Sequence, residues 1–272
     1  MPRQLIAVSP RRAALREYVD PPLHDDEVRV RVRWASPKHG TELTDFRAQS
    51  PFIAEEFDPV QRLFVPRAPG TPSGVRFGEW NLGNQWVGEI AEIGGRVTGF
   101  AAGDLVSGYG GIRETQTVKA IDNPRLRRLP DARLWKNAVC HDPAQFAFAA
   151  VRDAGVRPGD RVAVIGLGAI GQLAAQLCRR AGALLVVVID PIAARREAAL
   201  ADGADAALDP SAADVGLALK RLTGSAGVDA VIETSGSGPA LQAALRGLAF
   251  GGTVADVAFA KEFSGLSFGR EA

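Results

Sequence analysis

Cysteine, histidine and any imbalance of charge are what this sequence lacks. Only two cysteines, Cys140 and Cys178, occur among 272 residues. They exclude a disulfide framework and a four-cysteine zinc lobe, and a reducing cytoplasm is the expected setting. Thirty-two basic and 31 acidic residues leave a formal charge of +1, so no basic field invites nucleic acid. Clusters such as "RRAALR" and "RLRR" read as solvated surface. No run nears the roughly 18 apolar residues of a membrane helix. The start, "MPRQLIAVSPRR", has too short an apolar stretch for a signal peptide and no small-residue cleavage site. Nucleic acid and membrane are thus not expected as partners; a small molecule is.

What is there changes texture near residue 140. Up to that point the pattern is short strands and turns. "EVRVRVRW" alternates, with Val28, Val30, Val32 and Trp34 predicted on one face and Glu27, Arg29, Arg31 and Arg33 on the other, as in a half-buried antiparallel strand. "WVGEIAEI" and the glycine-punctuated "GGRVTGFAAGDLVSGYGG" read as further strands. Residues 48–80 carry no period and read as a long excursion that covers a pocket. From about residue 141, apolar helical stripes alternate with β-branched runs. "DPAQFAFAAVRDAG" reads as a helix closed by Gly155, "RVAVI", "LLVVVID", "VDAVIE" and "TVADVA" as buried strands. Ile170, Leu173, Ala174 and Leu177 fall on one helical face. Strands alternating with helices predict a parallel sheet. The boundaries expected are a β-rich domain over 1–140 and an α/β domain over 141–272.

Within the second half, Gly166, Gly168 and Gly171 form G-x-G-x-x-G between a strand and a helix. The first glycine serves a tight turn, the second a close approach to pyrophosphate, the third close helix–strand packing. Ala169 and Ile170 then open a helix whose free N–H groups face the phosphates. Asp190 closes the next strand, where a carboxylate can hold the adenosine ribose hydroxyls and repel a 2′-phosphate, so NAD is expected over NADP. Arg195, one helical turn beyond, is either a softener of that preference or a surface arginine.

Taken together, the β-rich first half, "VRPGDRVAVIGLGAIGQLAAQL", "VVVID…ARREAALADGADAALD" and "GVDAVIETSG…GPALQAALRGLAFGGTV" resemble the medium-chain dehydrogenase/reductase superfamily from about residue 5 to residue 259. The resemblance implies a GroES-like catalytic domain, a Rossmann domain and hydride transfer between an alcohol or carbonyl carbon and nicotinamide. It also places Thr234, Ser235, Gly236, Val257, Ala258 and Phe259 beside the nicotinamide. The sequence ends at "SGLSFGREA", short of the strand that usually pairs two copies in the family. A C-terminally incomplete Rossmann sheet with an open edge is therefore expected, and a homodimer is left open.

The zinc-dependent pattern of the family is not matched. "SPKHGTELTDF" puts His39 at the usual cysteine, "GNQWVGEI" puts Asn84 and Gln85 at the usual His and Glu, and "CHDPAQF" offers His141 or Asp142 as the last ligand. Zinc wants thiolate, imidazole or carboxylate, and a neutral amide suits harder cations. A zinc-independent reaction is expected. Thr41 then aligns with the hydroxyl that relays the alcohol proton, with His39 next in line. Glu42 reads either as a catalytic acid or as the first-turn acid of a helix beginning at "GTEL". The "GTE" segment also resembles a biosynthetic subset of the superfamily, the bacteriochlorophyllide dehydrogenase-like enzymes. Two rivals stay open: a zinc enzyme using His39, Asp142 and His141, and an inactive dinucleotide-binding protein. Asp190 weakens a quinone reductase-like NADPH enzyme. Both cysteines are expected to be small buried residues.

Overall fold

The computed structural model describes residues 1–38, 40–258 and 266–267, in two compact units, Met1–His141 and Asp142–Ala272. In the first unit, β1 (Arg3–Ser9) and β2 (Arg12–Glu17) form an antiparallel hairpin. The chain continues through β3 (Glu27–Ser36), α1 (Thr41–Phe46), β4 (Glu55–Asp58), β5 (Leu63–Pro66), β6 (Gln85–Ile93), β7 (Leu105–Tyr109), β8 (Thr115–Lys119), β9 (Arg127–Arg128) and α2 (Trp135–Ala138). An antiparallel sheet runs in the order β8-β3-β6-β7-β9. Its apolar face gathers Val28, Val30, Trp86, Ile90 and Val106 into one core.

The alternation of β3 holds only for its first half. The pairing of β3 with β6 slips between Arg29 and Val30 and again between Val32 and Trp34. The first slip leaves Ala91 extra on β6, and the second leaves Arg33 extra on β3, which turns the β3 side chains that follow it. Trp34, predicted inward, is consequently 47% exposed, and the Lys136 ammonium lies 5.1 Å from its ring centre. The excursion over residues 48–80 is more regular than predicted. Strands β4 and β5 pair within it as a hairpin, and Phe64 stands edge-on to Phe52 and Phe57 at 5.1 and 5.5 Å. The hairpin shows no period in sequence because most of its residues are exposed or half-buried, so neither face demands apolar residues.

The second unit follows α3 (His141–Asp153) with β10 (Arg161–Ile165), α4 (Ala169–Arg180), β11 (Leu185–Ile189), α5 (Ala193–Ala201), β12 (Ala206–Leu208), α6 (Val215–Leu222), β13 (Val228–Glu233), α7 (Gly238–Gly247) and β14 (Leu248–Asp256). These strands pair in parallel, in the order β12-β11-β10-β13-β14. Helices cover both faces of such a sheet, so its strands read as unbroken valine and isoleucine runs. Two clusters fill the two faces: Val162, Val164, Val186, Val188 and Ile232 in one, and Ala163, Ile165, Val187, Ile189 and Val231 in the other. On α4 the fully buried stripe is Gly171, Ala174, Ala175 and Cys178, with Ile170, Leu173 and Leu177 packed along its flanks. Burial pushes the Cys178 thiol up to about 12, so it is an inert core residue. Cys140 departs from expectation and is exposed. It sits between α2 and α3, outside either core, and its Sγ approaches the Lys136 carbonyl at 3.8 Å.

Candidate active site

The glycine turn after β10 has the geometry its spacing requires. Gly166 has φ +86°, and a Cβ there would meet the Ser235 amide nitrogen at 2.8 Å. A Cβ on Gly171 would lie 1.8 Å from the Gly166 carbonyl oxygen, so no larger residue lets α4 approach the turn this closely. Gly168 caps α4 with no side-chain hydrogen bond, and Ala169 and Ile170 begin the helix. The positive end of a twelve-residue helix is thereby turned to the strand ends.

Asp190, just past β11, is 3% exposed and faces this turn. Its carboxylate accepts the Leu167 N–H at 2.8 Å and the Ile192 N–H at 2.8 Å. The guanidinium of Arg195 also donates to it at 3.4 Å and is itself about half exposed. Asp190 therefore shapes the turn as well as lying where an adenosine ribose is expected. Thr234, Ser235 and Gly236 follow β13 beside the same turn. The Thr234 hydroxyl donates to the Gly166 carbonyl at 2.6 Å and its N–H to the Ile165 carbonyl at 2.8 Å. Val257 donates its N–H to the Glu233 carbonyl at 2.9 Å and Ala258 its N–H to Asp256 at 3.0 Å. Phe259 lies outside the described residues. The glycine turn, Asp190, Arg195 and the Thr234–Gly236 turn thus converge at the C-terminal ends of parallel strands, where α/β sheets bind their ligands.

One residue of this rim escaped the sequence reading. Glu233 ends β13 with no exposed surface. Its carboxylate accepts the Ser235 N–H at 2.8 Å, the Gly236 N–H at 3.0 Å and, by a short bond, the Ser235 hydroxyl. Burial raises its pKa above the ordinary carboxylate value, against those bonds. The available signal was an acid at the end of an otherwise apolar strand, which "VIETSG" shares with "VVVID".

In the first unit, Thr41 is the first residue of α1, after Gly40, and its carbonyl accepts the Thr44 hydroxyl at 2.6 Å. His39 lies outside the described residues. Glu42 is 7% exposed. Its carboxylate accepts the Lys38 N–H at 2.8 Å and, by a short bond, the Gly83 N–H. Burial raises its pKa and these two amides pull it back. The two acceptor oxygens hold together the segments that precede His39 and Asn84. Glu42 is thus the acid in the first turn of α1.

The donors expected for zinc that the structure describes are His141 and Asp142, with Asn84 and Gln85 at the usual His and Glu positions. Among the described residues no three His, Cys, Asp or Glu side chains lie together as a ligand group. Asn84 and Gln85 are neutral amides, and Glu42 is held by backbone amides. The Arg127 guanidinium donates to His141 Nε2 at 2.9 Å, and the Tyr109 hydroxyl lies 3.4 Å from Nδ1. A cation on one ring nitrogen disfavours a second cation beside it. Asp142 is buried in the first turn of α3, in the second unit.

Known proteins bear out the class of this fold. Residues 169–269 match the family of zinc-binding dehydrogenases. D-guloside 3-dehydrogenase of Escherichia coli K12 is 54% identical over 271 residues, 99% of this chain and 77% of that protein. The chain belongs to the medium-chain dehydrogenase/reductase superfamily. It is an oxidoreductase of the alcohol and polyol dehydrogenase type. Solved structures of this superfamily agree in fold. The 2R,3R-butanediol dehydrogenase of Bacillus subtilis is 21% identical with a TM-score of 0.74, over 98% of this chain and 80% of its own. A protein of Sinorhizobium meliloti 1021, described as a zinc-binding dehydrogenase and bound to NADP, gives 23% and 0.72 over 98% and 79%. No helix among the described residues is long and apolar enough to cross a membrane.

Proposed function

We propose that this dehydrogenase uses NAD, without zinc, to oxidise a secondary hydroxyl of a small or medium-sized metabolite in the cytoplasm. The similarity to D-guloside 3-dehydrogenase favours a glycoside oxidised at ring carbon 3. The observation that carries the cofactor choice is Asp190: a buried carboxylate bound to the Leu167 amide of the glycine turn leaves no neutral room for a 2′-phosphate. Bound nicotinamide supplies the hydride acceptor. The chain's own part is to orient the dinucleotide on the rim of the second unit and to take the hydroxyl proton. Thr41 is assigned that proton, with His39 as the relay onward to solvent and Asp142 as a further acid–base candidate. Glu42 is a brace for these positions.

Calorimetric titration with NAD, NADH and NADPH tests the cofactor assignment. NADH binding that Asp190→Ala weakens, with NADPH binding gained, supports it. NADPH bound better than NADH by the unaltered protein overturns it. Turnover is then measured on a panel of glycosides and polyols.

A second reading restores zinc. It is favoured by the zinc-binding description of the matching family. One zinc per chain in protein purified without chelators, lost in His39→Ala, decides for this reading.

A further inference from the structure

The glycine turn is held from two sides. On its donor side, the Leu167 N–H is bound by Asp190. On its acceptor side, the Gly166 carbonyl receives the Thr234 hydroxyl. Thr234 is in turn the first residue of the turn that Glu233 closes. The Glu233 carboxylate takes both donors of Ser235 and the N–H of Gly236, and the Glu233 carbonyl takes the N–H of Val257. One buried residue thus binds the loops after β13 and β14, and its neighbour binds the turn after β10.

Burying a carboxylate costs folding free energy unless a cation or several donors offset it. Glu233 has no basic partner among the described residues, only the donors of the turn that follows it. Asp256, its register partner on β14, caps the following loop from an exposed position. A turn can therefore be closed here without burying the acid. The burial of Glu233 makes its geometry rigid, which a turn bordering a reacting ring needs.

We propose that Glu233 is a positioning residue for hydride transfer: it sets the Thr234–Gly236 turn at the nicotinamide end. The Thr234 hydroxyl holds Gly166 at the pyrophosphate end without any bond to the Glu233 carboxylate. This rests on the dinucleotide reading of the site. Glu233→Gln replaces one acceptor oxygen by an NH2 group facing a donor, so at least one of the three bonds is lost.

The experiment compares NADH with ADP-ribose, which lacks the nicotinamide, by calorimetry on the full chain. Glu233→Gln is expected to weaken NADH about tenfold or more while ADP-ribose affinity changes less than about twofold, with the KM for NAD rising. Equal weakening of both ligands together with a lowered Tm overturns the proposal in favour of a purely structural acid. Unchanged NADH binding also overturns it. Failure of the unaltered protein to bind any dinucleotide overturns the site reading beneath it instead. Should Glu233→Gln not fold, Ser235→Ala, which removes the hydroxyl donor to Glu233, carries the same comparison.

Discussion

The residues read as chemically active stand on different supports in the two units. In the first, Thr41 and Glu42 sit on a six-residue helix entered from a loop, and the pairing of the neighbouring strand β3 with β6 slips twice. In the second, every proposed cofactor contact on described residues lies at or just beyond the end of a parallel strand, or on the helix that follows it, and most follow strands buried on both faces. A parallel strand buried on both faces cannot slip register without moving its whole apolar set. Its end is therefore a fixed point in space, which suits a long, multi-part ligand. The first unit instead relies on single side chains, above all Glu42, to tie its segments together.

This contrast can be broken most sharply at Thr41. If its hydroxyl takes the substrate proton, Thr41→Ala should lower turnover about 10²- to 10⁴-fold, with NADH affinity unaltered and Thr41→Ser largely active. Retention of turnover in the alanine variant would remove Thr41 from the reaction. A packing test follows. Trp86 is 1% exposed at the centre of the first unit's core, so Trp86→Ala should cost about 3–5 kcal/mol. Loss of NADH binding in proportion would show that the second unit does not stand on its own core.

Smaller effects sharpen the picture within the second unit. Gly171→Ala places a methyl against the Gly166 carbonyl and should cost about 1–3 kcal/mol, read by thermal unfolding, with a parallel loss of NADH affinity. Unchanged affinity would mean that the close approach of α4 does not serve the cofactor.

The smallest effect is a difference of sign with pH. Arg161 donates to Asp229 three times at 2.8–2.9 Å, and its guanidinium lowers the Asp229 pKa. A depressed folded pKa gives stability that is complete above the ordinary aspartate value and lost as pH falls through the lowered one. Asp229→Asn should therefore cost about 1 kcal/mol at neutral pH and nothing in strong acid. At Glu42 burial raises the pKa, so the wild type should lose stability as pH climbs from the ordinary glutamate value through the raised one. Glu42→Gln should flatten that slope. Denaturant titrations between pH 3 and about 8 would reveal both, and equal slopes would contradict the opposed assignments.

The α/β character of residues 141–258 was legible because burial on both faces writes itself as "RVAVI" and "LLVVVID". The glycine turn was legible because Gly166 and Gly171 answer steric demands that no other residue meets. The outward turn of Trp34 was not, since a bulge changes side-chain direction without changing the residue pattern. Cys140 misled for a related reason: residue type biases burial, but position between two helices outside either core decides it. Glu233 was visible as an acid at a strand end yet could not be ranked above Asp256, whose sequence setting is similar.

Local sequence by itself determined the order of strands and helices, the glycine turn and the superfamily, because these depend on periodicity and on the backbone freedom of particular residues. Tertiary structure alone decided that Asp190 and Glu233 are buried and that Thr234 reaches Gly166. It also decided that Glu42 braces Lys38 to Gly83 and that Arg127 occupies His141. Each of these joins residues from separate elements, and a carboxylate acts as ligand, base or brace according to the donors that folding brings to it.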